Sequence, residues 1–229
     1  MTEKDKRYVY CSGPLFCPEE IESMSKIAKT LEDEGYGTFL PHRDGLEAHV
    51  MKMVNDPRVT NRMFRRISKF INKAIFALDI YQIVERCDYL VLNMNGRVPD
   101  EGAIVETAIA FAAGKPLIIY KNDNRTEFNG NDNSMITGLS YTFSYVDEIQ
   151  KIPEELAKIV KKVGSGESPY KGKNIPPFMS KVIKFGHRVW KFLGITRIFE
   201  AKGGEYLDHI KEIAKMCEDS PEMKELNWV

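Results

Sequence analysis

The stretch YLVLNM, residues 89–94, constrains this chain more than any other. Its apolar residues are consecutive rather than alternating, so a strand formed there must be covered on both faces, as inside a parallel sheet. Similar short runs recur along the chain. YVYC (8–11) reads as a buried strand that Ser12, Gly13 and Pro14 break at once. GTFLP (37–41) reads as a second strand, PLIIY (116–120) as a fourth and YTFSYV (141–146) as a fifth. Helical patterns fill the gaps. Pro18, Glu19 and Glu20 open the first helix, Ile21, Met24, Ile27, Ala28 and Leu31 give it one apolar face, and Gly35 ends it. Residues 56–86 are mostly helical, and a period of 3.6 marks another helix over 153–163. Strands alternating with helices predict a doubly wound, Rossmann- or flavodoxin-like α/β domain on a five-stranded parallel sheet, over residues 1–163. Such sheets carry their sites at the carboxyl ends of strands. GSGESPYKGKNIPP (164–177) is a linker by composition, and 178–229 reads as a helical extension with helices over 178–193 and 205–218.

Composition closes off several classes. Lysine and arginine balance aspartate and glutamate at 33 each, which argues against a dedicated nucleic-acid binder. No apolar run approaches the roughly 20 residues of a membrane span, and the first residues lack the apolar core of a signal peptide. The cysteines (Cys11, Cys17, Cys87, Cys217) lack metal-ligand spacing and fit a reducing compartment. A soluble, cytoplasmic protein is the expectation. His42, His49, His187 and His209 show no paired spacing, so no metal site is expected. No P-loop, GxSxG elbow or GxGxxG fingerprint is present.

The segment NGRVPDEGAIVETAIAFAAGKP (95–116) holds the most unusual residue. Its helix is built of small apolar side chains, yet Glu106 stands in the middle. An unpaired buried carboxylate is costly, so Glu106 either faces a cavity at the carboxyl edge of the sheet or lies on an exposed stripe. The small residues bring this helix close to the sheet. Asp100 is placed to cap the helix start. Asp79, among apolar neighbours in FALDIYQIVE, is either a structural acid, paired with a base or capping a backbone end, or a group facing a pocket. The turn at Ser12, Gly13 and Pro14 either admits a ligand to the backbone or simply joins strand to helix. Two basic stretches complete the inventory. Arg58, Arg62, Arg65, Arg66, Lys69 and Lys73 form either a solvated face or a contact for phosphate or an acidic partner. The basic, amphipathic 171–202 suits docking on the main domain or a subunit contact better than a membrane-surface helix.

Three of these segments together resemble the nucleoside 2-deoxyribosyltransferase family. VYCSGPLF resembles its first strand and turn, Y-x-A-G-P-x-F, and LDIYQIVERCDYLVLNMNG its D-x-x-x-I-x-x-x-D segment. PDEGAIVETAIAFAAGKPLIIY is similar to its D-x-G-T-x-x-E-x-G-x-A signature, and NDNSMITGL to its N-x-M segment. The likeness runs in order over about 8–150. The signature threonine is Ala103 here, the glycine after the glutamate is Thr107, and residues 165–229 have no counterpart.

The resemblance implies a reaction and roles. Glu106 attacks C1′ of a nucleoside to form a covalent glycosyl-enzyme, Tyr10 orients its carboxylate, and Asp79 handles the proton of the leaving base. Ser12, Gly13, Pro14, Asp100, Gly102, Asn133 and Ser134 would contact substrate, Asn133 from an adjacent subunit, so a homo-oligomer with its site at a subunit interface is implied. The substrates would be a nucleoside or nucleotide and a free nucleobase, with no cofactor. Two alternatives accompany this reading. One is hydrolysis of nucleoside 5′-monophosphates, for which Arg43, Arg58, Arg97 and Arg125 supply candidate cations. The other is a non-catalytic nucleotide-binding or interaction module.

Overall fold

The computed structural model describes residues 6–96, 98–123, 132–164, 175–196 and 205–228. In chain order the elements begin β1 (Tyr8–Ser12), α1 (Pro18–Asp33), β2 (Gly37–Phe39), α2 (Pro41–Asp44), α3 (Glu47–Asn55) and α4 (Asn61–Tyr81). A π-helical turn over Gln82–Arg86 leads to β3 (Tyr89–Asn93), α5 (Glu101–Ala112), β4 (Leu117–Tyr120) and the short α6 (Ser134–Thr137). Then follow α7 (Ile152–Val163), α8 (Pro177–Thr196), α9 (Glu205–Asp219) and α10 (Pro221–Glu225). Most of the linker expected over 164–177 lies outside the described residues, as do Arg97 and Arg125.

The chain divides into two compact units, one of Met1–Leu40 with Ile83–Lys171 and one of Pro41–Gln82 with Gly172–Val229. Residues 41–82 therefore group with the C-terminal helices. The first unit is an α/β fold on a four-stranded, wholly parallel sheet in the order β2-β1-β3-β4. Its strands are buried along nearly their whole length, as YLVLNM requires. Side chains alternate across the sheet. Val9, Cys11, Tyr89, Val91, Ile118 and Tyr120 face α1 and α7, meeting Met24, Ile27, Leu31, Leu156 and Ile159 in one apolar core. Tyr10, Ser12, Leu90 and Leu92 point the other way, and α5 covers that face with Ala103, Thr107 and Ala110.

The fifth strand expected over 141–146 is not formed. Tyr141 and Phe143 adopt left-handed backbone, φ 62° and 55°, which ends any extended run. Packing overrides the strand propensity of these aromatics. The Tyr141 hydroxyl donates to the Lys115 carbonyl at 2.9 Å, and its ring lies against Phe111 with centroids 5.1 Å apart. Only Val146 reaches the sheet edge, donating to Ile119 and accepting from Lys121.

The second unit is helical among the described residues. Thr60 caps α4 by accepting from the Met63 N–H, and Ile67, Phe70, Ile71, Ala74, Ala77 and Leu78 form its buried stripe. Gly186 of α8 rests on that stripe so closely that a Cβ there would lie 1.9 Å from the Ala77 carbonyl oxygen. Arg188 pairs with Glu222, and the Tyr206 hydroxyl donates to Asp56. Arg62, Arg65, Arg66 and Lys69 are exposed along α4, the solvated-face alternative for that cluster. No helix among the described residues is long and apolar enough to cross a membrane.

Candidate active site

The chain leaves β1 toward α1 on one face of the sheet and leaves β3 toward α5 on the other. The two strands are neighbours, so the chain paths diverge where their carboxyl ends lie side by side, the usual crevice of open parallel sheets. Ser12 ends β1 opposite Leu92 of β3. At the next residue the chain squeezes between α1 and β3. A Cβ on Gly13 would lie 2.6 Å from Met24 Sδ and 2.8 Å from Asn93 Cβ. The crowding that glycine relieves here is with the protein itself. Pro14 is buried beside it.

Asp100 caps α5, its carboxylate accepting from the Ala103 N–H at 2.7 Å, where the helix dipole favours negative charge. Gly102 follows, exposed, in the first turn. Ala103, Thr107 and Ala110 keep α5 against the sheet, and that closeness brings Glu106 to β1. Its Oε1 accepts from the Tyr10 hydroxyl at 2.8 Å and its Oε2 from the Ser12 hydroxyl at 2.6 Å. Both donors are fully buried, and the Tyr10 ring is stacked on Phe39 with centroids 5.4 Å apart. The tyrosine is thus held before any ligand arrives.

Burial pushes the Glu106 carboxyl up to about 7; the Ser12 and Tyr10 hydrogen bonds oppose the rise and the Asp100 charge adds to it. The group therefore exchanges its proton near neutrality. A carboxylate with one donor on each oxygen still has lone pairs free, so it can act as a nucleophile or trade a proton.

Of the residues named from the sequence, Tyr10, Ser12 and Glu106 form one hydrogen-bonded cluster with Asp100 in electrostatic range. Asn133 and Ser134 open α6, where the Asn133 amide oxygen accepts from the Met135 N–H at 2.9 Å and Ser134 is exposed. A buried ion pair, Lys121 to Asp132 at 2.6 Å, fixes the chain just before them. Asp79 belongs to the second unit, half-buried on α4. The candidate cations Arg43 and Arg58 bind Asp44 and Asp56.

Two features escaped sequence reading. Thr107 is wholly buried and donates to the Ala103 carbonyl at 2.7 Å, a local bond that a β-hydroxyl four residues on always makes available. The loops after β3 and β4 are also tied together. Asn95 accepts from the Asn122 and Asp123 N–H groups, and Asp123 accepts from the Gly96 N–H. The signal was the polar NMNG closing an apolar strand. Among the described residues, no group of three or more His, Cys, Asp or Glu is placed to hold a metal ion.

Among solved structures the chain is similar to a conserved protein from Enterococcus faecalis V583, with a TM-score of 0.49 and 18% identity, over 67% of this chain and 98% of that one. No curated protein matches it. Residues 9–139 match the family model described as nucleoside 2-deoxyribosyltransferase. That span holds all of β1 but Tyr8, α5 and the whole Tyr10–Ser12–Glu106 cluster. This chain belongs to the nucleoside 2-deoxyribosyltransferase family.

Proposed function

We propose that the protein cleaves the N-glycosidic bond of a deoxynucleoside and passes the deoxyribosyl group to a second nucleobase, through a covalent intermediate on Glu106. The observation that carries this reading is the carboxylate held by Tyr10 and Ser12 at the carboxyl end of β1. A Glu106 oxygen attacks C1′ as the bond from C1′ to the base nitrogen breaks, its electron pair leaving with the base. Asp79, assigned from the resemblance alone, supplies the proton that the departing base takes up. A nitrogen of the incoming base then attacks C1′ from the opposite face, passes its proton to the Asp79 carboxylate and returns Glu106 to the carboxylate. Two inversions give net retention, the logic of retaining carboxylate glycosidases. Charge developing on the sugar in the oxocarbenium-like transition state is stabilised by the ionised acid beside it.

Asp100, Gly102, Ser12, Gly13 and Pro14 are proposed to line the sugar side of this site, and Asn133 and Ser134 to act across a subunit contact. Chromatography of the protein incubated with a deoxynucleoside and a different free base tests the reading. Appearance of the exchanged nucleoside supports transfer. Base released only from a 5′-monophosphate points to the hydrolase, and no product from either substrate removes the enzymatic reading.

A further inference from the structure

Ser12 stands where the family pattern Y-x-A-G-P carries alanine, and its side chain is wholly buried. Its hydroxyl has two acceptors in range, Glu106 Oε2 at 2.6 Å and the Ala103 carbonyl at 3.3 Å. A serine has one proton to give. The Ala103 carbonyl already accepts from Thr107 at 2.7 Å, and an ionised carboxylate is the stronger acceptor. The proton therefore goes to Glu106, while Tyr10 holds the other oxygen.

We propose that Ser12 is a positioning residue for Glu106, the second of two hydroxyl donors that fix the plane of the carboxylate and keep it ionised for attack. The inference rests on the reading of Glu106 as the nucleophile. Thr107 already occupies one lone pair of the Ala103 carbonyl, which leaves the carboxylate the better acceptor for the serine. The same geometry serves the protonated state. When Glu106 takes up a proton, Ser12 accepts from it and turns its own proton to the Ala103 carbonyl, so neither form leaves a buried group without a partner.

The setting isolates the effect. The groups facing Glu106 from β1 are Tyr10 and Ser12, and the charged group from α5 is Asp100. On the face toward α5, β3 and β4 present Leu90, Leu92, Leu117 and Ile119, which do not titrate. Ser12 bonds both forms of the acid, but the bond to the ionised form is about twice as strong, so losing Ser12 moves the Glu106 midpoint up by about one pH unit.

The test is a carbon-13 NMR titration of protein labelled at its glutamate carboxyls. The Glu106 signal is assigned by its loss in Glu106→Gln. Ser12→Ala is expected to raise the midpoint by about one unit, as Tyr10→Phe does, and Ser12→Thr to restore it. In base-release kinetics the acid limb of kcat for Ser12→Ala shifts in parallel, so the loss against wild type is greatest below neutrality, about tenfold, and smaller at alkaline pH. A Ser12→Ala midpoint equal to wild type overturns the inference, and a Ser12→Ala that fails to fold leaves the same decision to Ser12→Cys, a weaker donor. The titration needs no turnover, so failure of the nucleophile reading registers separately, as activity surviving in Glu106→Gln.

Discussion

Glu106 in the sheet-bearing unit and Gly186 in the helical unit both lie on helices packed against a neighbour through small residues. At Glu106 the approach is made by small residues, Ala103, Thr107 and Ala110, and the space gained is filled with a carboxylate and two hydroxyls. At Gly186 the space is filled by the Ala77 backbone and the Tyr81 Cβ. One contact spends stability to hold a reactive group, and the other is packing alone. Close helix packing is therefore not a sign of function; the acid inside it is.

Replacing each residue separates the two cases. Glu106→Ala is expected to cost about 10^4-fold or more in turnover while leaving the fold intact, read by base release alongside thermal melting. A large loss of stability would make Glu106 a structural acid and erase the contrast. Gly186→Ala has the next largest effect, about 3 kcal/mol of destabilisation by denaturant unfolding, because the added methyl meets a backbone carbonyl that cannot swing aside. A neutral result would show that α8 shifts freely on α4.

A pH series sharpens the comparison further. The Glu106 carboxyl rises from 4.5 to about 7 on folding, so the fold favours its protonated form. Its contribution to stability is full below pH 4.5 and is lost as pH rises through 7. Relative to Glu106→Gln, wild type should therefore weaken by about 3 kcal/mol between the two limits, followed by urea midpoints. The difference between Gly186→Ala and wild type should stay constant across the same pH range. The smallest effects should be alike in both units. Asp100→Ala and Thr60→Ala each remove an N-cap and should cost about 1 kcal/mol in melting experiments.

Much of the sheet-bearing unit was legible because its cues are local. Consecutive apolar residues marked β3, Pro18 and the acids after it marked the start of α1, and Asp100 marked the start of α5. Glu106 stood out because an acid in an all-apolar helix contradicts its surroundings. The fifth strand failed for a nonlocal reason. Tyr141 is claimed by Lys115 and Phe111, contacts that no short window of sequence contains. The grouping of residues 41–82 with the C-terminal helices was hidden for the same reason, since Gly186 and Ala77 are far apart in the chain. The bond from Ser12 to Glu106 was hidden because the two residues lie 94 positions apart in the chain.

The covalent step is the centre of the account, and acid quenching during turnover tests it most directly. Protein mixed with a deoxynucleoside, quenched and digested, is expected to yield a peptide containing Glu106 that carries one added deoxyribosyl group, absent from Glu106→Gln. Base exchange proceeding with no adduct, or with the adduct on another residue, would contradict it.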